Sequence, residues 1–251
     1  MSSYLVTGGG RGLGLELVTQ LAKHPDTSIV FAATRSEPSE GLQTLVTSSQ
    51  GRVVHLKLPI TDKAGVAAGA EDLKGKLGGK GLDVLINNAG VMPFSLDGIA
   101  AMDNLREALE VNVEAVHNTT AALLPLLQLG TRKTVLNIST TLGSIGYSEN
   151  FRAAPVAAYK ISKAALSMLT KQYAFEYEKD GFTFFVVSPG WLRTDMGSQD
   201  ADLDVSVGAA EVVRILMESN QTTNGKFLNI HVPGWENAEG PNKYDGAEVV
   251  W

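Results

Sequence analysis

The stretch that decides the fold is the glycine-rich run Thr-Gly-Gly-Gly-Arg-Gly-Leu-Gly at Thr7–Gly14. It ends a short apolar run and opens a helical pattern, so it lies at the junction of a strand and a helix. Glycines at positions 8, 12 and 14 permit a tight turn, close approach of the backbone to a pyrophosphate and close packing of the helix on the strand. The helix N-terminus supplies amide hydrogens for phosphate oxygens. The stretch therefore predicts a dinucleotide phosphate loop, with contacts from Gly8, Arg11, Gly12 and Leu13; the alternative is an ordinary glycine-rich turn.

Short apolar runs alternate with longer helical patterns along the whole chain. The predicted strands are Ser3–Thr7, Ser28–Ala33, Val53–Leu58, Asp83–Asn87, Thr134–Ile138, Thr183–Val187 and Lys226–Ile230. The predicted helices are Leu13–Lys23, Glu40–Ser48, Lys63–Leu77, Ala101–Leu127, Val156–Lys179 and Val205–Ser219. Several strands are continuous apolar runs, which is typical of strands buried on both faces. The alternation predicts an α/β fold of the Rossmann type, a doubly wound parallel sheet of about seven strands with helices on both faces.

The domain organisation is predicted to be simple. No linker or low-complexity segment divides the chain, so we expect residues 1–251 to form one domain with a large core. The tail Pro233–Trp251 looks irregular, but its apolar end, Val249–Trp251, predicts that it packs back on the body. A frayed tail is the alternative.

Composition excludes several classes of function. The net charge of -6 and the lack of a basic cluster argue against nucleic-acid binding. The chain has no cysteine, and its four histidines stand apart, so neither disulfides nor a metal site is expected. No apolar stretch approaches the roughly 20 residues of a membrane helix, and the N-terminus lacks the features of a signal peptide. We expect a soluble cytoplasmic protein with a small-molecule substrate and no membrane partner.

The end of the second predicted strand indicates which dinucleotide binds. A site for NAD usually places an acidic side chain here to hold the ribose hydroxyls, and none occurs before Glu37. Instead Arg35 follows the strand, and Arg11 lies within the glycine run. Two guanidinium groups can clamp a 2′-phosphate, which predicts NADP(H). The alternative is that Arg35 is a solvated loop residue.

A turn of Asn88, Ala89 and Gly90 follows the strand Asp83–Asn87. In an open α/β sheet, ligands bind beyond the carboxyl ends of the strands. We therefore expect these three residues to lie beside the cofactor ribose. A turn chosen because asparagine and glycine accept positive φ is the alternative.

Tyr159 and Lys163 are four residues apart on one predicted helix, so their side chains share a face. A free phenol has a pKa near 10, and a neighbouring ammonium is expected to lower that pKa. The phenol would then exchange a proton with a substrate more readily at neutral pH. Upstream, a strand ends in Ser139 and Thr140, whose hydroxyls can hydrogen-bond a substrate oxygen as charge develops on it. Asn112, a polar residue in an apolar helical pattern, holds a relay water or simply packs a helix.

These motifs resemble those of the short-chain dehydrogenase/reductase superfamily, over nearly the whole chain. Within it, the chain is similar to the carbonyl-reductase branch of Sniffer, bacterial C-factor and fungal norsolorinic-acid ketoreductases. The residues that carry the resemblance are Thr7–Gly14, Asn87–Gly90, Asn137–Ile145, Tyr159–Lys163, Pro189–Gly197 and the terminal Trp251. The resemblance implies a catalytic tetrad of Asn112, Thr140, Tyr159 and Lys163. Thr140 stands where the family has serine, with Ser139 as the other candidate.

The resemblance also implies further cofactor contacts. Tyr159 and Lys163 lie at the nicotinamide ribose, and contacts to the rest of the cofactor come from Pro189, Gly190, Leu192 and Thr194. Pro59 replaces an aspartate that the family often has near the adenine, so the adenine contact is expected to be apolar, through Ile60.

The substrate pocket is expected to be apolar and aromatic, which suits a bulky hydrophobic carbonyl compound better than a sugar. Its predicted wall consists of Phe94, Leu142, Tyr147, Phe151, Trp191 and Met196. The loops Tyr147–Pro155 and Gly197–Asp204 are candidate lids.

The predicted function is NADPH-dependent reduction of a hydrophobic ketone or aldehyde, or the reverse reaction, with Tyr159 as general acid and base. One alternative is a catalytically silent NADP sensor of the same fold. A Rossmann-like methyltransferase is the other, and the absence of an acidic residue at Thr34 and Arg35 argues against it. We expect a homodimer or homotetramer that pairs through Ala101–Leu127 and Val156–Lys179.

Overall fold

The computed structural model describes residues Met1–Trp251. Seven parallel strands form one sheet in the order β3-β2-β1-β4-β5-β6-β7, as the alternating pattern predicts. The strands are β1 (Ser2–Thr7), β2 (Thr27–Thr34), β3 (Val53–Lys57), β4 (Val84–Asn87), β5 (Thr134–Ile138), β6 (Thr183–Ser188) and β7 (Phe227–Asn229). The strand order reverses between β1 and β4, so the connections after these two strands leave in opposite directions and open a crevice at their carboxyl ends.

Helices cover both faces of the sheet. They are α1 (Gly12–Lys23), α2 (Glu40–Ser48), α3 (Lys63–Leu77), α4 (Leu105–Leu109), α5 (Ala115–Leu129), α6 (Ala157–Glu176) and α7 (Val205–Glu218). Alternate residues of β1 serve opposite sides: Tyr4 and Val6 pack with α1, α2 and α7, whereas Leu5 packs with α3, α5 and α6. This period of two gives the sheet a hydrophobic core on each face.

The predicted helix Ala101–Leu127 is wrong at its start and interrupted in the middle. A short 3-10 turn covers Ile99–Ala101, α4 begins only at Leu105, and one π-helical turn, Glu110–Glu114, separates α4 from α5. The π turn inserts one residue into the helical repeat, as such turns often do at functional sites. Asn112 lies in this turn, and its side chain is fully buried.

The tail beyond Pro233 packs back on the body, as its apolar end predicts. It forms antiparallel bridges between Leu228 and Glu248 and between His231 and Asp245. Val249 donates a backbone hydrogen bond of 2.7 Å to Phe227, and Gly146 donates one of 3.1 Å to the Trp251 carbonyl. The tail thus covers the free edge of β7 and reaches the loop after β5. No helix combines the length and apolarity that crossing a bilayer would require.

Candidate active site

The glycine run forms a tight turn between β1 and α1. Gly8 and Gly12 have positive φ, at 67° and 51°. A Cβ atom on Gly14 would lie 2.1 Å from the carbonyl oxygen of Gly8, so only glycine fits there. No side chain caps the first turn of α1, which leaves its amide groups for an anion. Leu13, the second residue of α1, lies in this first turn.

The turn after β4 is fastened directly to the glycine run. The hydroxyl of Thr7 accepts hydrogen bonds from the backbone amides of Asn88 (3.0 Å) and Ala89 (3.1 Å). The Asn88 side chain donates to the carbonyl oxygen of Thr7 at 2.9 Å. The amide hydrogens of Asn88 therefore brace the crevice, and its contact with a ribose stays a prediction.

Gly90, Asn112 and Lys163 meet behind this turn. A Cβ atom on Gly90 would lie 2.9 Å from Asn112 Oδ1 and 3.7 Å from Lys163 Nζ. Asn112 Nδ2 donates to the carbonyl oxygen of Val91 and to Ser162 Oγ, both at 2.9 Å, and its Oδ1 accepts from the Val91 amide at 2.9 Å. Both amide hydrogens are thus used within the chain. This favours the packing interpretation of Asn112, and a water-holding role stays a prediction.

Tyr159 and Lys163 lie on the buried face of α6, as the spacing predicts. Lys163 Nζ lies 5.7 Å from the centroid of the Tyr159 ring and donates a hydrogen bond of 2.8 Å to the Ile138 carbonyl. Only 8% of Tyr159 and 4% of Lys163 is exposed. No residue of the chain hydrogen-bonds the Tyr159 hydroxyl. The phenol is therefore enclosed by packing, with its polar end free for another molecule.

The expected lowering of the Tyr159 pKa is wrong for this structure. Burial raises the pKa of Tyr159 above its usual value, and burial lowers the pKa of Lys163 to about 8. Both groups are disfavoured in their charged forms, because neither has enough water or counter-charge around it. Desolvation is the cause of both shifts.

Ser139 and Thr140, after β5, differ in accessibility. The Ser139 hydroxyl is buried and has no hydrogen-bond partner. Thr140 is partly exposed, and its hydroxyl accepts a long hydrogen bond of 3.3 Å from the Leu142 amide. Thr140 is therefore the hydroxyl that an incoming substrate can reach.

The residues predicted for the adenosine end lie around the glycine run. Arg11 is exposed, and its guanidinium lies 3.2 Å from the Asp195 carboxylate. Arg35 is exposed just after β2, and Ile60 is half-buried after β3. Gly10 is tied to this region through its carbonyl oxygen, which accepts from Ser39 Oγ at 2.5 Å. A phosphate bound here would compete with Asp195 for Arg11.

The loop after β6 returns over the glycine run. Gly190, which follows Pro189, has a φ of 85°. Leu192 is buried in the core, whereas the methyl group of Thr194 would lie 3.5 Å from a Cβ atom on Gly12. Of the predicted residues in this loop, Thr194 is thus the one that lies directly against the phosphate loop.

The predicted pocket residues fall into two groups. Phe94, Trp191 and Met196 are exposed by 56%, 42% and 45%, and Leu142 is half-buried. Phe151 is buried, and Tyr147 packs against the cluster of Val186, Phe227 and Val249. Phe94, Trp191 and Met196 are accessible to a ligand. Tyr147 and Phe151 mainly stabilise the loop to which they belong.

Sequence reasoning missed Ser162 and Tyr244. Ser162 Oγ accepts from Asn112 and donates to the Tyr159 carbonyl at 2.8 Å, which links two predicted catalytic residues. Its position three residues after Tyr159 was the only available signal. Tyr244 lies in the irregular tail and contacts the loop after β6, a relationship that no local pattern encodes.

Comparison with known proteins agrees with the fold and with the family that the motifs resemble. A relative from Aspergillus aculeatus, the short-chain dehydrogenase/reductase AacuF, is 35% identical over 202 residues, covering 76% of this chain and 74% of that protein. The NADPH-bound carbonyl reductase from chicken fatty liver superposes with a TM-score of 0.88 at 28% identity, covering 100% of this chain and 94% of the other. Carbonyl reductase Sniffer of Drosophila melanogaster gives a TM-score of 0.87 at 29% identity, with both chains fully covered. The family model for short chain dehydrogenases matches residues 3–203, and the chain belongs to this family.

Proposed function

We propose that this protein catalyses the NADPH-dependent reduction of a hydrophobic ketone or aldehyde, and the reverse oxidation, with residues 1–251 acting as one catalytic domain. The observation that carries the proposal is the buried Tyr159, whose hydroxyl has no partner in the chain, beside the anchored ammonium of Lys163. A phenol held in this way can donate its proton to a bound substrate, because no group of the chain accepts a hydrogen bond from it.

The crevice fits a dinucleotide. The glycine run closes so tightly that Gly14 has no room for a side chain, and the amides of the first turn of α1 carry no side-chain cap. At the opposite end, Gly90 packs so closely on Asn112 that a Cβ atom there would lie 2.9 Å from Asn112 Oδ1. When bound, the nicotinamide supplies the hydride for reduction and accepts it in the reverse direction.

Proton transfer is the task of the chain's own residues. During reduction the carbonyl carbon gains a hydride, and the carbonyl oxygen takes the proton of the Tyr159 hydroxyl. Thr140 donates a hydrogen bond to the same oxygen and orients it. Lys163 stabilises the phenolate that remains, since an ammonium nearby favours the charged form of the phenol. In the reverse direction the phenolate takes the proton of the alcohol.

Burial sets the protonation states of the two groups. The raised pKa of Tyr159 keeps the phenol protonated at neutral pH, which is the form that reduction requires. The pKa of Lys163, lowered to about 8, leaves the ammonium largely charged at neutral pH. Added negative charge from a bound phosphate would hold Lys163 more firmly in that form.

The preference for NADP(H) over NAD(H) is part of the proposal. Arg35 follows β2 with its guanidinium exposed, and no acidic side chain stands in its place. Arg11 reaches the same side of the crevice from the glycine run. The chicken carbonyl reductase described above contains NADPH, which supports this choice.

The substrate class follows from the exposed apolar side chains near the site. Phe94, Trp191 and Met196 each leave about half of their surface exposed, and exposed apolar surface binds ligands with apolar bodies. We therefore propose a bulky hydrophobic carbonyl compound rather than a sugar.

Self-association through α6 is also proposed. Ile161, Met168 and Phe175 are exposed by 41%, 61% and 64% and recur every seven residues, so they form one apolar stripe on this helix. A second copy of the chain offers the same stripe in a two-fold arrangement.

The test of the proposed reaction is NADPH consumption. Purified protein is incubated with NADPH and a panel of aromatic ketones, aliphatic aldehydes and sugars, and loss of NADPH absorbance is matched to alcohol product by mass spectrometry. We expect turnover with the hydrophobic compounds and none with sugars. Tight binding of NADPH without consumption across the panel would instead support the silent NADP sensor.

A further inference from the structure

The segment Trp191–Asp204, called the flap here, is a folded loop whose two ends pair with each other. The Arg193 amide donates to the Leu203 carbonyl at 2.9 Å, and the Leu203 amide donates to the Trp191 carbonyl at 3.1 Å. Thr194 and Asp195 lie at its tip, over the glycine run. The flap therefore has a paired base and a tip that reaches the predicted cofactor crevice.

Tyr244 joins the two ends of the flap from outside. Its hydroxyl accepts a hydrogen bond of 3.1 Å from the Trp191 amide, at the start of the flap, and donates one of 2.5 Å to Asp202 Oδ2, near the end. Asn242 Nδ2 donates to the same carboxylate oxygen at 2.8 Å. One phenol thus bridges both ends of the loop.

The ring of Tyr244 is held firmly in place. It is 3% exposed, and its centroid lies 5.3 Å from that of Trp235. A Cβ atom on Gly190 would lie 3.2 Å from Tyr244 Cε1, so the ring packs closely on the backbone that opens the flap. Burial, and next the bond to Asp202, raise the pKa of Tyr244, which keeps the hydroxyl a proton donor.

The attachment at the tip of the flap is weaker. Its tip is tied to the glycine run through the ion pair of Arg11 and Asp195, whose side chains are 82% and 83% exposed. Exposed pairs contribute little to stability because water competes for both charges. The buried bridge at the base therefore holds the flap more firmly than the ion pair at its tip does, together with two hydrogen bonds from the Arg193 guanidinium to the carbonyl oxygens of Ala201 and Asp202.

We propose that Tyr244 is a positioning residue of the dinucleotide site, which holds the base of the flap closed and so presents Thr194 to the cofactor. The positioning role rests on the proposed function, whereas the bridge at the base is independent of it. Tyr244 does not touch the reacting atoms, and it acts through the flap.

Three variants separate these elements. Tyr244→Phe keeps the ring and removes only the bridging hydroxyl. Asp202→Ala removes the acceptor, and Asp202→Asn keeps an acceptor oxygen. Tyr177→Phe is the matched control, since Tyr177 stacks on Tyr173 away from the flap.

The first measurement is amide hydrogen exchange of the chain without cofactor. In Tyr244→Phe and in Asp202→Ala, we expect the amides of Arg193 and Leu203 to exchange at least about tenfold faster, while Val135 in β5 exchanges as in the wild type. Asp202→Asn is expected to lie closer to the wild type, and Tyr177→Phe to match it. If the amides of Tyr244→Phe exchange at the wild-type rate, the Tyr244 hydroxyl does not hold the base of the flap.

The second measurement is NADPH binding and steady-state kinetics. Tyr244→Phe is expected to weaken NADPH binding about fivefold to tenfold and to raise the KM for NADPH more than it lowers kcat. The double variant with Asp202→Ala is expected to bind no more weakly than the weaker single variant, because both changes break one bridge. Faster exchange with unchanged NADPH binding would overturn the positioning role alone. If the wild-type chain does not bind NADPH, both the proposed function and the positioning role are wrong. The exchange rates would still show whether the Tyr244 hydroxyl holds the two ends of the flap together.

Discussion

Lys163 donates a hydrogen bond of 2.8 Å to the carbonyl oxygen of Ile138, the last residue of β5. The bond ties α6, which carries Tyr159, to the strand that leads directly into Ser139 and Thr140. This buried ammonium, with the hydrogen bond of 2.8 Å from Asn137 in β5 to Thr170 in α6, therefore helps to fix the phenol relative to the Thr140 hydroxyl.

Replacing Tyr159 tests the proton donor. Tyr159→Phe keeps the ring packing and removes the hydroxyl, so we expect unchanged NADPH affinity and a fall in kcat of about 10²–10⁴-fold. Tyr173→Phe on the same helix, whose hydroxyl contacts His117 and not the site, is expected to keep wild-type turnover. Activity of Tyr159→Phe near the wild-type level would contradict the assignment.

The lowered pKa of Lys163 predicts that the free energy of unfolding depends on pH. This pKa is about 8 in the folded chain against an ordinary value of 10.5 for lysine, so between these pH values the unfolded chain binds more protons. Stability from this group therefore rises with pH in that window. The free energy of unfolding of the wild type, minus that of Lys163→Met, should increase by about 2 kcal/mol from pH 8 to pH 10.

Urea unfolding of both proteins at each pH measures this difference. The window stops at pH 10 because Tyr159, whose pKa is raised, opposes the trend above its usual value. A difference that stays flat or falls would show that Lys163 is not desolvated.

Asn112 is predicted to stabilise the fold as well as the site. Asn112→Ala removes the hydrogen bonds to the partly buried amide and carbonyl of Val91 and to the buried Ser162 hydroxyl, so we expect the free energy of unfolding to fall by about 2–4 kcal/mol. Asn118→Ala, on α5 and half-buried, is the matched control, with an expected change below about 1 kcal/mol. Thermal denaturation of the two variants distinguishes them, and equal losses would contradict the prediction.

Arg35 is predicted to select the nucleotide. Arg35→Ala should lower the ratio of kcat/KM for NADPH to that for NADH by about tenfold or more, because one charged partner of the 2′-phosphate is lost. Arg11→Ala should have a smaller effect, since Arg11 must first leave Asp195. The control is Arg214→Ala on α7, which pairs with Glu211 and Glu218. If the ratio of kcat/KM for NADPH to that for NADH is unchanged in Arg35→Ala, residues other than Arg35 select the nucleotide.

The stripe on α6 predicts the oligomeric state. Light scattering coupled to size exclusion should show a dimer or tetramer for the wild type and a smaller species for Met168→Glu. Glu176→Gln, beside the stripe and also on α6, is the control. A monomeric wild type, or a variant of unchanged mass, would exclude this face as the contact.

The sequence predicts much of the fold because its signals are local and repeat. Continuous apolar strands identify a sheet buried on both sides, and seven strands form it. The glycine run identifies its own turn, since only glycine fits at Gly14. The helix Ala101–Leu127 was predicted poorly because the π turn at Asn112 is stabilised by bonds to Val91, 21 residues away. The periodicity of hydrophobic residues cannot indicate a hydrogen-bond partner so distant in the sequence.

The sequence by itself determined the α/β architecture, the phosphate turn and the shared face of Tyr159 and Lys163, because each depends on neighbours a few residues apart. Only the tertiary structure decided that Thr140 and not Ser139 is accessible, that burial raises the pKa of Tyr159, and that Tyr244 bridges the flap. Accessibility, desolvation and long-range hydrogen bonds are properties of what packs around a side chain. That surrounding exists only once distant segments of the chain have come together.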